Sequence, residues 1–183
     1  RDNKSAISFC KNFTNSLPVD AFPYGCVSKD MKGEQLAEMF DMTKSGAVAF
    51  TDFKKPITQS GLLSRALLYT KNFDGLVISF PHDPTISPNG QMNEGVYSTQ
   101  MGVDGIPSLA EKTILKRDLD INEYNESRIH FNIISSESSV QEISNAKKLK
   151  QDVSCGTSIH HLLFDDSMLL DFNSDFKFIP PLR

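Results

Sequence analysis

Short apolar runs alternate with amphipathic stretches along the chain, and the alternation predicts a repeating strand–helix unit. Residues 46–51 (Gly46-Ala47-Val48-Ala49-Phe50-Thr51) and 75–80 (Gly75-Leu76-Val77-Ile78-Ser79-Phe80) are continuous apolar runs, the pattern of strands buried in a parallel sheet. The first is followed over 61–69 by a helical stripe of Leu62, Leu63, Ala66 and Leu67. The second leads into a long loop carrying Pro81, Pro84, Pro88 and Asn89-Gly90, after which Pro107 is placed as the first residue of a helix running through Leu109, Ile114, Leu115 and Leu119 toward Tyr124. Upstream, residues 19–27 read as a strand leading into a loop, and 33–40 as a helix with Leu36, Met39 and Phe40 on one side. Downstream, 128–134 is a strand, and Ser136 is placed to cap a helix whose apolar positions Val140, Ile143, Ala146 and Leu149 share a face. Residues 153–163 form a fifth strand-like stretch. Four strand–helix units and a fifth strand, with no tight hairpin signal between them, predict a parallel α/β architecture with right-handed crossovers, in which ligands bind where the strands end.

Composition changes this picture little. In 183 residues, 19 Lys and Arg against 23 Asp and Glu leave a formal charge of −4, so no basic field is available for nucleic acid or an anionic membrane surface. The longest apolar runs fall far short of the roughly 20 residues of a membrane span. Cys10, Cys26 and Cys155 are widely spaced and form no CxxC pair, which reads as reduced thiols in a cytoplasmic protein. No secretory signal is evident at the start, and the terminal Arg1 and Arg183 fit a piece of something longer.

Candidate chemistry is sparse. Neither GxGxxG nor GxxxxGK[ST] occurs, nor GxSxG or HExxH. His82 follows the third strand and reads either as a metal ligand with Asp83 nearby or as a solvated loop residue. His130 lies too early in its strand to reach the mouth and reads as a hydrogen-bonded core or bottom-face residue. His160 and His161, adjacent on an extended segment, would point to opposite faces. Asp52, directly after the second strand, is either a metal or substrate contact or a turn residue. Cys155, without a neighbouring base, reads as a buried thiol.

Several segments, taken in order, resemble bacterial dihydroorotases of the amidohydrolase superfamily. They are Pro23-Tyr24-Gly25-Cys26-Val27-Ser28-Lys29 with Gly33-Glu34, and Ser45-Gly46-Ala47-Val48-Ala49-Phe50-Thr51-Asp52 with Lys55-Pro56. Asn93-Glu94-Gly95, Gly105-Ile106-Pro107 with Ala110-Glu111, Arg117-Asp118, His160-His161-Leu162 and Lys177-Phe178-Ile179-Pro180-Pro181-Leu182-Arg183 follow. The resemblance implies a TIM-type (β/α)₈ barrel of which residues 1–183 are an interior portion, with strands resembling the third to the seventh and no second domain. A complete barrel takes about 250 residues. It also implies a zinc site that hydrolyses or closes the cyclic amide of dihydroorotate in pyrimidine biosynthesis, by lowering the pKa of a bound water and polarising the scissile carbonyl.

The ligand positions depart from that pattern. The family's HxH pair and its final Asp belong to strands outside the chain. Where the family reads Asp-Asp-Gly, this sequence reads Asp52-Phe53-Lys54. The fifth-strand His position holds Pro81, with His82 one residue late, and a shift of one residue in extended backbone turns a side chain to the other face. The sixth-strand His position holds Ile133, and the Asn before Pro-Pro-Leu-Arg is Ile179. Losing a metal ligand to isoleucine should abolish ordinary zinc affinity. The leading reading is therefore a dihydroorotase homologue with a dismantled metal site and a scaffold role; the resemblance implies aspartate transcarbamoylase as the partner to try first. The competing reading is an active zinc enzyme in which Asp52, a shifted His82 and the first-strand histidines hold the metal. A partial barrel also leaves two unpaired strand edges, expected to pair with missing segments or by self-association. An unrelated doubly wound domain is the third possibility.

Overall fold

The computed structural model describes residues 2–14 and 17–183; Arg1 lies outside them. In chain order the main elements are α1 (Lys4–Thr14), β1 (Tyr24–Gly25), α2 (Met39–Lys44), β2 (Ala49–Phe50), α3 (Ser60–Lys71), β3 (Val77–Ser79), β4 (Met92–Asn93), α4 (Val96–Met101), β5 (Gly105–Ile106), α5 (Ser108–Asn125), β6 (Arg128–Phe131), α6 (Glu137–Lys148), β7 (Asp152–Cys155) and α7 (Ile159–Leu163). Five strands form one sheet in the order β1-β2-β3-β6-β7, and every pairing is parallel. The order follows the chain without reversing, as in a barrel; a doubly wound sheet changes direction at a switch point. The expected α/β fold, part of a TIM-type barrel, is what the chain adopts. Among the described residues, no helix is long and apolar enough to cross a membrane.

The pleat sorts the strand residues onto two faces. Phe50, Val77, Ile129, Phe131 and Val153 join the core with Leu62, Leu63, Ala66 and Leu67 of α3, Leu115 and Leu119 of α5, and Ile143 and Ala146 of α6. Each fully buried leucine there contributes about 1.5–3 kcal/mol, which explains why the α3 stripe read from sequence is a docked face. On the other face the register sets Ile78 beside His130 and His130 beside Ser154.

Several expectations shift. Residues 33–36 do not enter a helix: Ser28 and Leu36 form an antiparallel bridge, Ser28 Oγ accepts from Gly33 N–H at 2.8 Å, and the helix begins only at Met39. Gly33 has φ of +69°, which turns the chain back. Ser136 does cap α6, its hydroxyl accepting from Ser139 N–H, but the buried face is Ser139, Ile143 and Ala146, with Val140 and Leu149 exposed. The fifth strand ends at Cys155, and α7 begins after Ser158, so His160 and His161 sit on a helical turn. Cys155 is exposed, contrary to the expected buried thiol, because β7 is the edge strand of the sheet. The apolar pattern does not predict α1, α4 or the small β4–β5 sheet; β4 and β5 are two residues each, too short for a periodic signal.

Candidate functional site

The carboxyl ends of β1, β2, β3 and β6 carry the residues singled out by sequence. Asp52 follows β2 and is 3% exposed. Its Oδ1 accepts from Val27 N–H at 2.9 Å and Ser28 N–H at 3.1 Å, and its Oδ2 accepts from the Ser28 hydroxyl. Both oxygens are thus engaged in holding the loop after β1. The chain then turns through Phe53, whose φ is +60°, with Phe53 N–H on Thr51 Oγ1 and Lys55 N–H on Asp52 O. A left-handed conformation suits Asn, Asp or Gly better than an exposed aromatic.

Pro81 is buried and His82 half-buried after β3. Burial lowers the His82 pKa; Asp83 and Glu111 oppose that shift, and Arg183 reinforces it. His82 lines a cleft of about 470 Å³ with Phe80, Lys54, Lys177, Phe178 and Ile179. Ile133, two residues beyond β6, is half-buried with φ of +59°, a conformation in which a β-branched side chain is strained. His130 makes the hydrogen bond expected of it, its Nδ1 lying 2.8 Å from Ser154 Oγ, but it is half-buried on the face of the sheet away from the core; burial lowers its pKa. His161 bridges Ser158 Oγ at 2.7 Å and Pro180 O at 3.0 Å. His160 is exposed, its ring 4.7 Å from that of Phe178.

A zinc ion needs several N and O ligands converging on one point. Among the described residues no three His, Cys, Asp or Glu side chains are placed to do so, and the Asp52 oxygens are committed to the loop after β1. The residues of this chain do not by themselves fit a zinc set.

Two polar knots dominate the strand ends instead. Glu111, in the first turn of α5 and 1% exposed, accepts from the backbone and hydroxyl of Ser135 at 3.0 and 2.5 Å and of Ser136 at 3.0 and 2.8 Å. Arg183 donates to Ser135 Oγ at 3.0 Å and Asn93 Oδ1 at 2.7 Å, and Asn93 donates to Asp166 at 2.7 Å. Burial lowers the Arg183 pKa, opposed by Glu111 and Asp166. In the second knot Ser79 donates to Asp118 at 2.6 Å, and Arg117 joins Asp118 to the carbonyls of Ile57 and Thr58. Burial pushes the Asp118 pKa up to about 6 against the pull of Arg117 and Ser79. Sequence reasoning quoted these residues as motifs but gave them no role; the signal available was charged residues, Glu111 and Asp118, on the apolar stripe of a helix.

The Dihydro-orotase-like family model matches residues 4–139. The dihydroorotase of Acetivibrio thermocellus is 42% identical over 183 residues, covering all of this chain and 43% of that protein, and the dihydroorotase of Syntrophus aciditrophicus is 39% identical over the same span and shares. The chain thus spans less than half the length of the curated relatives it matches. Among solved structures, the L-hydantoinase (dihydropyrimidinase) of Arthrobacter aurescens superposes with a TM-score of 0.79 at 18% identity, covering 99% of this chain and 42% of that one. The D-hydantoinase of a Bacillus sp. AR9 gives 0.71 at 18%, over 98% and 42%. The parallel sheet, the order of its strands and the family match agree: the chain belongs to the dihydroorotase-like family.

Proposed function

We propose that this chain is an interior portion of a dihydroorotase-like barrel whose metal site is dismantled and which serves pyrimidine biosynthesis as a non-catalytic cytoplasmic partner. Aspartate transcarbamoylase is the partner to test first. The observation that carries the reading is Asp52: the carboxylate at the expected ligand position has both oxygens hydrogen-bonded to Val27 and Ser28. Ile133 and Pro81, standing where the family resemblance expects histidines, support it, since neither side chain can bind a metal.

A second reading, an active zinc-dependent cyclic amidohydrolase using a shifted His82, draws on one observation. His82 is half-buried in the cleft with its pKa lowered, so its imidazole is neutral and competent as a ligand near neutral pH. Metal analysis of the full-length protein together with dihydroorotate turnover in both directions separates the two. Stoichiometric zinc and turnover well above the uncatalysed rate would sink the scaffold reading. Gel filtration with aspartate transcarbamoylase tests the partner, and no complex at micromolar concentrations counts against it. The sheet edges β1 and β7 pair in the whole protein, with its remaining segments or with a second copy; a monomer with both edges exposed would contradict this.

A further inference from the structure

At the end of the sheet opposite the site described above, α5 and the turn after α6 meet the starts of β6 and β7 around a cleft of about 410 Å³. Asn122 lines it, is 1% exposed, and its Oδ1 has no hydrogen-bond partner. Gln151 lines it too, with its Oε1 buried and equally unpartnered. Buried acceptors without donors are destabilising, and two in one cleft call for a donor from outside the chain.

The charge around the cleft has the sign to match. Glu123, Glu126 and Asp152 line it against a single lining cation, Lys150. Lys71 is 3.6 Å from Glu126, whereas Glu123 and Asp152 enter no ion pair among the described residues. The 18-residue helix α5 ends here, adding the negative end of its dipole. A metal ion requires oxygens drawn to about 2.3–2.6 Å from one point, and no three carboxylates are so placed. An organic cation has no such requirement, because its N–H groups reach separate acceptors and its methylenes can lie on Leu149, which lines the cleft and is 69% exposed.

We propose that this cleft is a binding site for a small organic cation rich in N–H donors, an alkylguanidinium or alkylamine, whose donors pair with Asn122 and Gln151 while Glu123 and Asp152 supply the charge. Calorimetric titration of the full-length protein with agmatine, with spermidine and calcium chloride as parallel arms, tests it. The expected result is one saturable site per chain for an organic cation, weakened roughly tenfold or more in the double variant E123Q/D152N. Both substitutions lie on the exposed rim, so the variant should keep the unfolding temperature of the parent in the absence of ligand. Asn122→Leu, if it folds, should abolish binding as well. No saturable binding of either amine at millimolar concentration, undiminished binding by the double variant, or tighter binding of calcium at these residues would each overturn the proposal.

Discussion

Ser135 and Ile133 stand two residues apart at the end of β6 and could hardly be used more differently. Ser135 is bound from both sides, by Glu111 and by Arg183. Ile133 holds a strained backbone and offers nothing polar. The same contrast holds along the whole rim, where Glu111 serves four donors and Asp52 three, all from the protein itself. Buried polarity here fastens loops to strand ends and leaves little over for a reacting group.

Glu111→Ala gives the sharpest test of that contrast. It strands two backbone N–H groups and two hydroxyls and removes the stronger of the two charges, Glu111 and Asp166, that oppose the effect of burial on Arg183, so a loss of about 3–5 kcal/mol in denaturant unfolding of the full-length protein is expected. A loss below 1 kcal/mol would mean that the knot is decorative. Asp52→Ala should cost somewhat less, about 2–3 kcal/mol, for the unpaired N–H groups of Val27 and Ser28. It should leave metal content unchanged; a drop in bound zinc would instead assign Asp52 to a metal.

Asp118 tests the second knot through pH. Its folded pKa of about 6 lies above the unfolded value near 3.8, so folding takes up a proton between those limits. The contribution is favourable to folding at low pH and is lost as pH rises from about 4 to 6, on the order of 3 kcal/mol in all. Asp118→Asn should remove that slope from the stability profile, and an unchanged profile would refute the assignment. The smallest effect is expected at Ile133. Replacement by Asn relieves the left-handed strain and gives up some apolar contact, for a net change between zero and about 1 kcal/mol of stabilisation. A clear destabilisation in thermal unfolding would show that packing of the isoleucine outweighs its strain.

The fold was legible because long elements write their periodicity into the chain. The stripe Leu62, Leu63, Ala66, Leu67 and the run 75–80 led directly to α3 and β3. What escaped depended on backbone pairing or on neighbours far away in sequence. The apolar spacing of Leu36 and Met39 imitates a helix, but Ser28 and Gly33 fold that stretch into a hairpin-like bridge. At the site, Asp52 was visible as a strand-end carboxylate, yet its occupation by Val27 and Ser28 is a tertiary fact. The unpartnered Asn122 could not be singled out at all, since an asparagine in a helix gives no sign of where its amide ends up.

The bond from Arg183 to Asn93 closes a loop of 90 residues. Closing so long a loop is entropically costly and is repaid only after both ends are in place. On a ribosome the sheet from β1 to β7 and its helices can assemble while residue 183 is still in the exit tunnel, with Glu111 already bound to Ser135 and Ser136. The guanidinium then docks onto a part of the fold that is already assembled, so its removal should hasten unfolding much more than it slows folding.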